Sequence, residues 1–64
     1  MWNADTISDA WEKGIIDGWQ SVHPGMTPGK PMHPLGIASS LPDDKVNDRY
    51  YELGYERGRT DAQG

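Results

Sequence analysis

The residues that invite chemistry here are two histidines, a serine beside one of them, and a pair of adjacent carboxylates. His23 and His33 are each followed by proline and lie ten apart, a spacing that matches no common metal-ligand pattern, so both read as loop histidines. Ser21 stands two residues from His23. A nucleophile and base also need a deep pocket and an orienting acid, which so short a chain can scarcely build. Asp43 and Asp44 read as residues at a helix start, where the dipole favours negative charge, rather than as an acid and a base. Gly14 and Gly18 follow no strand and lack the third glycine and lysine of a phosphate loop. There is no cysteine, so no disulfide staples the fold, and either redox environment is permitted. The expectation is a non-enzyme without metal or cofactor.

What stands out instead is a repeat. Trp11-Glu12-Lys13-Gly14-Ile15-Ile16-Asp17-Gly18 and Tyr51-Glu52-Leu53-Gly54-Tyr55-Glu56-Arg57-Gly58 share the order aromatic, Glu, any, Gly, apolar, any, any, Gly. Residues four apart share a helix face, so each copy presents a bare backbone strip beside an aromatic ring. A glycine inside a helix costs about 1 kcal/mol relative to alanine. Placing two of them on an apolar stripe points to close helix packing that offsets the cost. Membrane helices use the same spacing, but the charges of Glu12, Lys13 and Asp17 exclude that setting.

The elements that must position these strips are two helices. The first is expected over about 6–21, capped by Thr6 or Ser8, with Ile7, Trp11, Gly14, Ile15, Gly18 and Val22 on one stripe and Ile16 on the polar side. Trp2, ahead of it, can fold back over that helix. From Val22 to Leu41, prolines 24, 28, 31 and 34 and glycines 25, 29 and 36 break any helix and set turns. So long a connection needs a reason. Met26, Met32, Leu35, Ile37 and Leu41 give it apolar side chains to complete a core, or else it is itself a binding surface presenting Met26, Lys30 and Met32. The second helix is expected over about 42–62, capped by Ser39 or Ser40, with Val46, Tyr50, Leu53, Gly54 and Arg57 on its stripe and Tyr51, Tyr55, Gly58 and Ala62 widening it. The fold class predicted is a single all-α domain over 1–64, an antiparallel helical hairpin with the loop packed on it. Its helix contact is assigned to Trp11, Gly14, Ile15, Gly18, Trp19, Leu53, Gly54 and Gly58. The apolar arc exceeds what one helix can cover, which leaves room for self-association as a homodimer or for a partner.

Sixty-four residues and 34% hydrophobic content put the chain near the lower size limit for a self-sufficient core. The net charge of −4 opposes nucleic-acid binding, since phosphate neutralisation needs cations. No apolar run reaches bilayer length and no signal peptide opens the chain, so it is expected to be cytoplasmic, without a membrane partner. Asp48, Glu52 and Glu56 form an acidic ladder, read either as a solvated face or as a surface for a basic partner.

Arg49-Tyr50-Tyr51-Glu52-Leu53-Gly54-Tyr55, after a glycine- and aromatic-bearing helix and a proline-containing connection, resembles ribosome modulation factor, a family of small two-helix bacterial proteins that silence ribosomes. Tyr51, Gly54 and Tyr55 carry the likeness, which implies a helical pair and, as an alternative function, a ribosomal partner. That family is strongly basic, whereas this chain is acidic. The leading expectation is therefore a non-catalytic binding module of the kind encoded by phages and mobile elements, which modulates or inhibits a larger host protein or complex. A further alternative is a small structural subunit. Partner contact is assigned to Tyr50, Tyr51, Tyr55, Arg57, Arg59, Glu52 and Glu56, with amphipathic and cationic side chains suited to interfaces.

Overall fold

The computed structural model describes residues 2–64. Two helices, α1 (Ala4–Gln20) and α2 (Asp43–Gln63), pack against each other, and a single 3-10 turn at Ala38–Ser40 interrupts the connection between them. No strand occurs among the described residues. The boundaries follow from capping. Asn3, not Thr6 or Ser8, is the N-cap of α1: its side chain accepts from the Thr6 amide at 2.9 Å while the Thr6 hydroxyl accepts from the Asn3 amide at 2.8 Å. This reciprocal box satisfies two free donors of the first turn. Ser39 and Ser40 do not cap α2. Their hydroxyls donate to the Gly36 and Ile37 carbonyls inside the 3-10 turn, and Pro42 sets the extended backbone from which α2 starts.

The helices run parallel, not antiparallel. At one end the Trp2 indole donates to Asp43 at 3.2 Å, and at the other His23 Nε2 donates to the Ala62 carbonyl at 2.8 Å. Between those ends the neighbours advance together, Gly14 against Tyr51 to Tyr55 and Gly18 against Tyr55 to Arg59. A parallel pair obliges the chain to travel back along the whole of α1, about 25 Å at 1.5 Å per residue. Residues 21–42 make that return journey, which is why the connection is long.

The hydrophobic core comprises Ile7, Trp11, Ile15, Val46 and Tyr50, with Trp2, Ala10, Ile37, Ala38, Leu41 and Leu53 packed around it. The loop thus contributes Ile37 and Leu41, whereas Met26, Met32 and Leu35 are exposed and complete no core. Five buried side chains are few. At about 1.5–3 kcal/mol for each large apolar side chain, they offset only part of the chain entropy. Close backbone contact supplies a second source of cohesion. On α2 the buried line runs Val46, Tyr50, Gly54, Gly58, so the contact follows the i, i+4 ridge. Arg57, expected on the stripe, is exposed and pairs with Asp61 at 2.9 Å instead.

Gly14, Gly18, Gly54 and Gly58 form the seam. A Cβ on Gly14 would meet the Tyr51 carbonyl oxygen and lie 2.8 Å from the Tyr55 nitrogen; one on Gly54 would meet the Trp11 oxygen and lie 3.1 Å from the Ile15 nitrogen. Gly18 faces the Tyr55 carbonyl and Gly58 the Ile15 carbonyl in the same way. Each glycine Cα hydrogen is therefore aimed at a carbonyl oxygen of the other helix, the geometry of a weak Cα–H···O bond. The pairings are reciprocal under exchange of each residue with the one forty further along. The sequence repeat is thus a pseudo-twofold axis running between two parallel helices.

Candidate functional site

The pseudo-twofold divides the helix pair into two related faces, and the loop covers one of them. Trp11 and Tyr50 are 3% and 1% exposed, yet each must satisfy a polar group. Trp11 Nε1 donates to the Pro31 carbonyl at 2.7 Å, and the Tyr50 hydroxyl donates to the Pro34 carbonyl at 2.6 Å. His33 meets the Tyr50 ring edge-on, with centroids 5.8 Å apart. Beside them Lys30 Nζ donates to Ser8 Oγ at 2.6 Å and lies 3.9 Å from Glu12. Residues 30–34 are consequently fastened to the helices as a strap.

The strap has its own periodicity. Pro28, Pro31 and Pro34 recur every third residue, the repeat of a polyproline II helix, and all three are half-buried. Gly29, Lys30, Met32 and Leu35 between and beyond them are exposed. Aromatic N–H and O–H groups donating to the carbonyls of a proline-every-third strand is how aromatic-lined grooves hold proline-rich peptides. Here the ligand belongs to the same chain. The signal was present in the sequence as the three-residue spacing, but prolines read only as helix breakers conceal it. Met32 and Leu35, 75% and 73% exposed, present apolar side chains to solvent at the fastened strap, and Met26 is exposed as well.

No family model, curated protein or solved structure matches the chain. The geometry alone therefore carries the functional argument.

The second face is open. Tyr51 and Tyr55 lie there half-buried, ring centroids 6.4 Å apart, and the Tyr51 hydroxyl donates to Asp17 Oδ2 at 2.6 Å across the seam. Lys13 approaches the same oxygen at 3.4 Å. The Tyr51 hydrogen bond, with Lys13 helping, holds the Asp17 carboxyl below its ordinary 3.8, while the same bond and desolvation push the Tyr51 phenol above its ordinary 10.0. A depressed carboxyl contributes stability above its unfolded pKa that is lost as pH falls through the folded value. A raised phenol contributes below its unfolded pKa and loses the contribution as pH rises through the folded one. Tyr51→Phe should therefore lower stability in the plateau between the two by about 1 kcal/mol or less, since the pair is partly solvated. Carboxyl NMR titration should show Asp17 returning upward toward 3.8 in that variant. An unchanged Asp17 titration would contradict the assignment.

The other expected site residues separate clearly. Tyr50, assigned to partner contact for its amphipathic side chain, is buried and donates its hydroxyl to the strap, so it is not available to a partner. Glu52, Glu56, Arg57 and Arg59 are exposed on α2, with Glu52 3.9 Å from Arg49. Trp19 is half-buried, tilted against His23 at 5.6 Å, and its indole nitrogen has no partner among the described residues. Leu53 flanks the core. The histidines are placed apart, His23 at the α2 end and His33 on Tyr50. No cavity and no group of three metal-capable side chains is found among the described residues, and no helix is long and apolar enough to cross a membrane. What the arrangement offers is surface: exposed apolar side chains on a fastened strap and one open aromatic and acidic face.

Proposed function

We propose that the protein is a non-catalytic binding module that modulates or inhibits a larger host protein machine, in the manner of small acidic phage or mobile-element proteins. One observation carries the reading. Met32 and Leu35 stay exposed on a strap whose flanking carbonyls are fixed by Trp11 and Tyr50, two of the most buried side chains in the molecule. A large apolar side chain held out to solvent on a fastened backbone has little ordering entropy left to lose on binding, which favours recognition. The acidic balance of the surface favours a partner with basic character, chiefly through the rate of encounter.

The test is capture from bacterial lysate by the tagged protein alongside its Met32→Ser/Leu35→Ser variant. Both side chains are exposed and outside the core, so the variant should fold with an unchanged melting transition. The expected outcome is one stoichiometric partner, held by the parent protein and lost or weakened at least about tenfold by the variant. Equal recovery by both proteins, or no stoichiometric partner at either low or moderate salt, would sink the reading. The alternative of a ribosome-associated factor draws on Tyr51 and Tyr55, which occupy the open face beside the exposed Arg59. It predicts co-sedimentation with ribosomes that weakens as salt rises.

A further inference from the structure

We propose that the open face is a second docking site, for an extended partner segment that carries a basic residue directly before a proline. Tyr51, Glu52 and Asp48 would hold it as Trp11, Glu12 and Ser8 hold the chain's own Lys30-Pro31. The pseudo-twofold supplies the argument. Advancing by forty residues turns Trp11 into Tyr51, Glu12 into Glu52 and Ser8 into Asp48, and the reciprocal seam contacts place the backbones that carry these residues in equivalent registers on the two helices.

On the covered face, the aromatic donor takes the Pro31 carbonyl while Ser8 and Glu12 receive the Lys30 ammonium. The open face repeats the aromatic and the glutamate and replaces the serine with a carboxylate, which strengthens the preference for a cation. Arg49 lies 3.9 Å from Glu52, as far as Lys30 lies from Glu12, but among the described residues no cation reaches Asp48 as Lys30 reaches Ser8 at 2.6 Å. Both carboxylates are exposed, and Tyr51 is half-buried where Trp11 beneath the strap is buried.

The two cradles also differ. Tyr50 becomes Ala10 under the same operation, so the anchor for the second carbonyl is missing and recognition narrows to the basic residue and its proline. The Tyr51 hydroxyl donates to Asp17 in the free protein, and a docked carbonyl exchanges one acceptor for another. Both differences make this the weaker of the two sites. The occupant is a segment of another protein, because the chain's own Lys30 and Pro31 are already engaged on the first face.

This inference deepens the binding-module reading and rests on it, but its test is independent of the strap's exposed side chains. The probe is a synthetic peptide with the sequence of residues 26–36, titrated into the isotopically labelled full chain and followed by amide NMR. Saturable shifts are expected at Asp48, Tyr51, Glu52 and Tyr55, with Trp11 and Glu12 unmoved. A Lys30→Glu peptide, and separately the Glu52→Lys protein, should each bind at least about fivefold more weakly. Glu52 is exposed, so its replacement leaves the fold intact, verified by unchanged shifts in the core. Shifts confined to Trp11 and Tyr50 would mean exchange of the strap on the first face and would overturn the proposal, as would no saturable shift at millimolar peptide. Concentration-dependent shifts at the same amides without peptide would assign the site to a second copy of the chain and overturn the foreign partner. Failure in this titration leaves the Met32 and Leu35 contact standing, and loss of that contact in lysate leaves this titration unaffected.

Discussion

Gly54→Ala should abolish the cooperative thermal transition of this protein, although alanine is the better helix former. A Cβ at position 54 would meet the Trp11 carbonyl oxygen and lie 3.2 Å from the Trp11 carbonyl carbon, both backbone atoms of the opposing helix. Backbone cannot rotate away as a flexible side chain can, so the helices must separate. Overpacking typically costs about 1–3 kcal/mol, and a clash with unyielding backbone puts this site at the upper end, against a propensity gain of about 1 kcal/mol. A domain of this size has few kcal/mol to lose. Gly14→Ala, Gly18→Ala and Gly58→Ala meet the same obstacle through equivalent contacts. Gly29→Ala is the control: nothing lies within 4 Å of its Cβ and its backbone needs no positive φ, so its melting curve should overlie that of the parent. Circular dichroism melts of the five variants check the expectation. A folded Gly54→Ala protein with parental stability would show that the helices do not approach as described.

The helical pair was legible in the sequence because the evidence for it is local. Ile7, Trp11, Gly14, Ile15 and Gly18 mark a buried stripe at helical spacing, and all five are buried. The relative direction of the helices was not legible, because a glycine strip packs closely in either orientation and its periodicity is the same read both ways. Two signals nevertheless bore on direction. A repeat of like with like pairs residue for residue only when the strands of the repeat run the same way, and the long connection at 21–42 suits a return crossing rather than a tight hairpin. The strap was misread for a similar reason. Composition shows that Pro28, Pro31 and Pro34 end helices, but only the pairing of the Pro31 and Pro34 carbonyls with Trp11 and Tyr50 shows a ligand-like strand. Met26, Met32 and Leu35 offered the loop apolar side chains to complete a core, with a binding surface as the alternative for Met26 and Met32, and all three are exposed. They lie outside the core because Trp11 and Tyr50 hold the strap through backbone carbonyls, which leaves those side chains free to point away.

The open face follows from the same symmetry. Of the acidic ladder Asp48, Glu52 and Glu56, the pseudo-twofold singles out Asp48 and Glu52 as counterparts of the two groups that receive Lys30. That relation distinguishes them from Glu56, whose counterpart Ile16 is apolar and has no group to receive a cation.

The seam, the strap and the second cradle all require the two repeats to meet in parallel register, so helix direction is the decisive quantity. The chain has no cysteine, which allows clean pairwise labelling, and Asp5, Asp44 and Thr60 are exposed positions near helix ends. Electron spin–spin distances should be short in the Asp5→Cys/Asp44→Cys protein, near the 8–10 Å interaxial separation plus the label arms. They should be longer in Asp5→Cys/Thr60→Cys, because residue 60 lies about 24 Å further along α2 at 1.5 Å per residue. A short Asp5–Asp44 distance with a long Asp5–Thr60 distance is the result this account predicts; the reverse order would establish antiparallel helices and contradict the seam, the strap and the second cradle together.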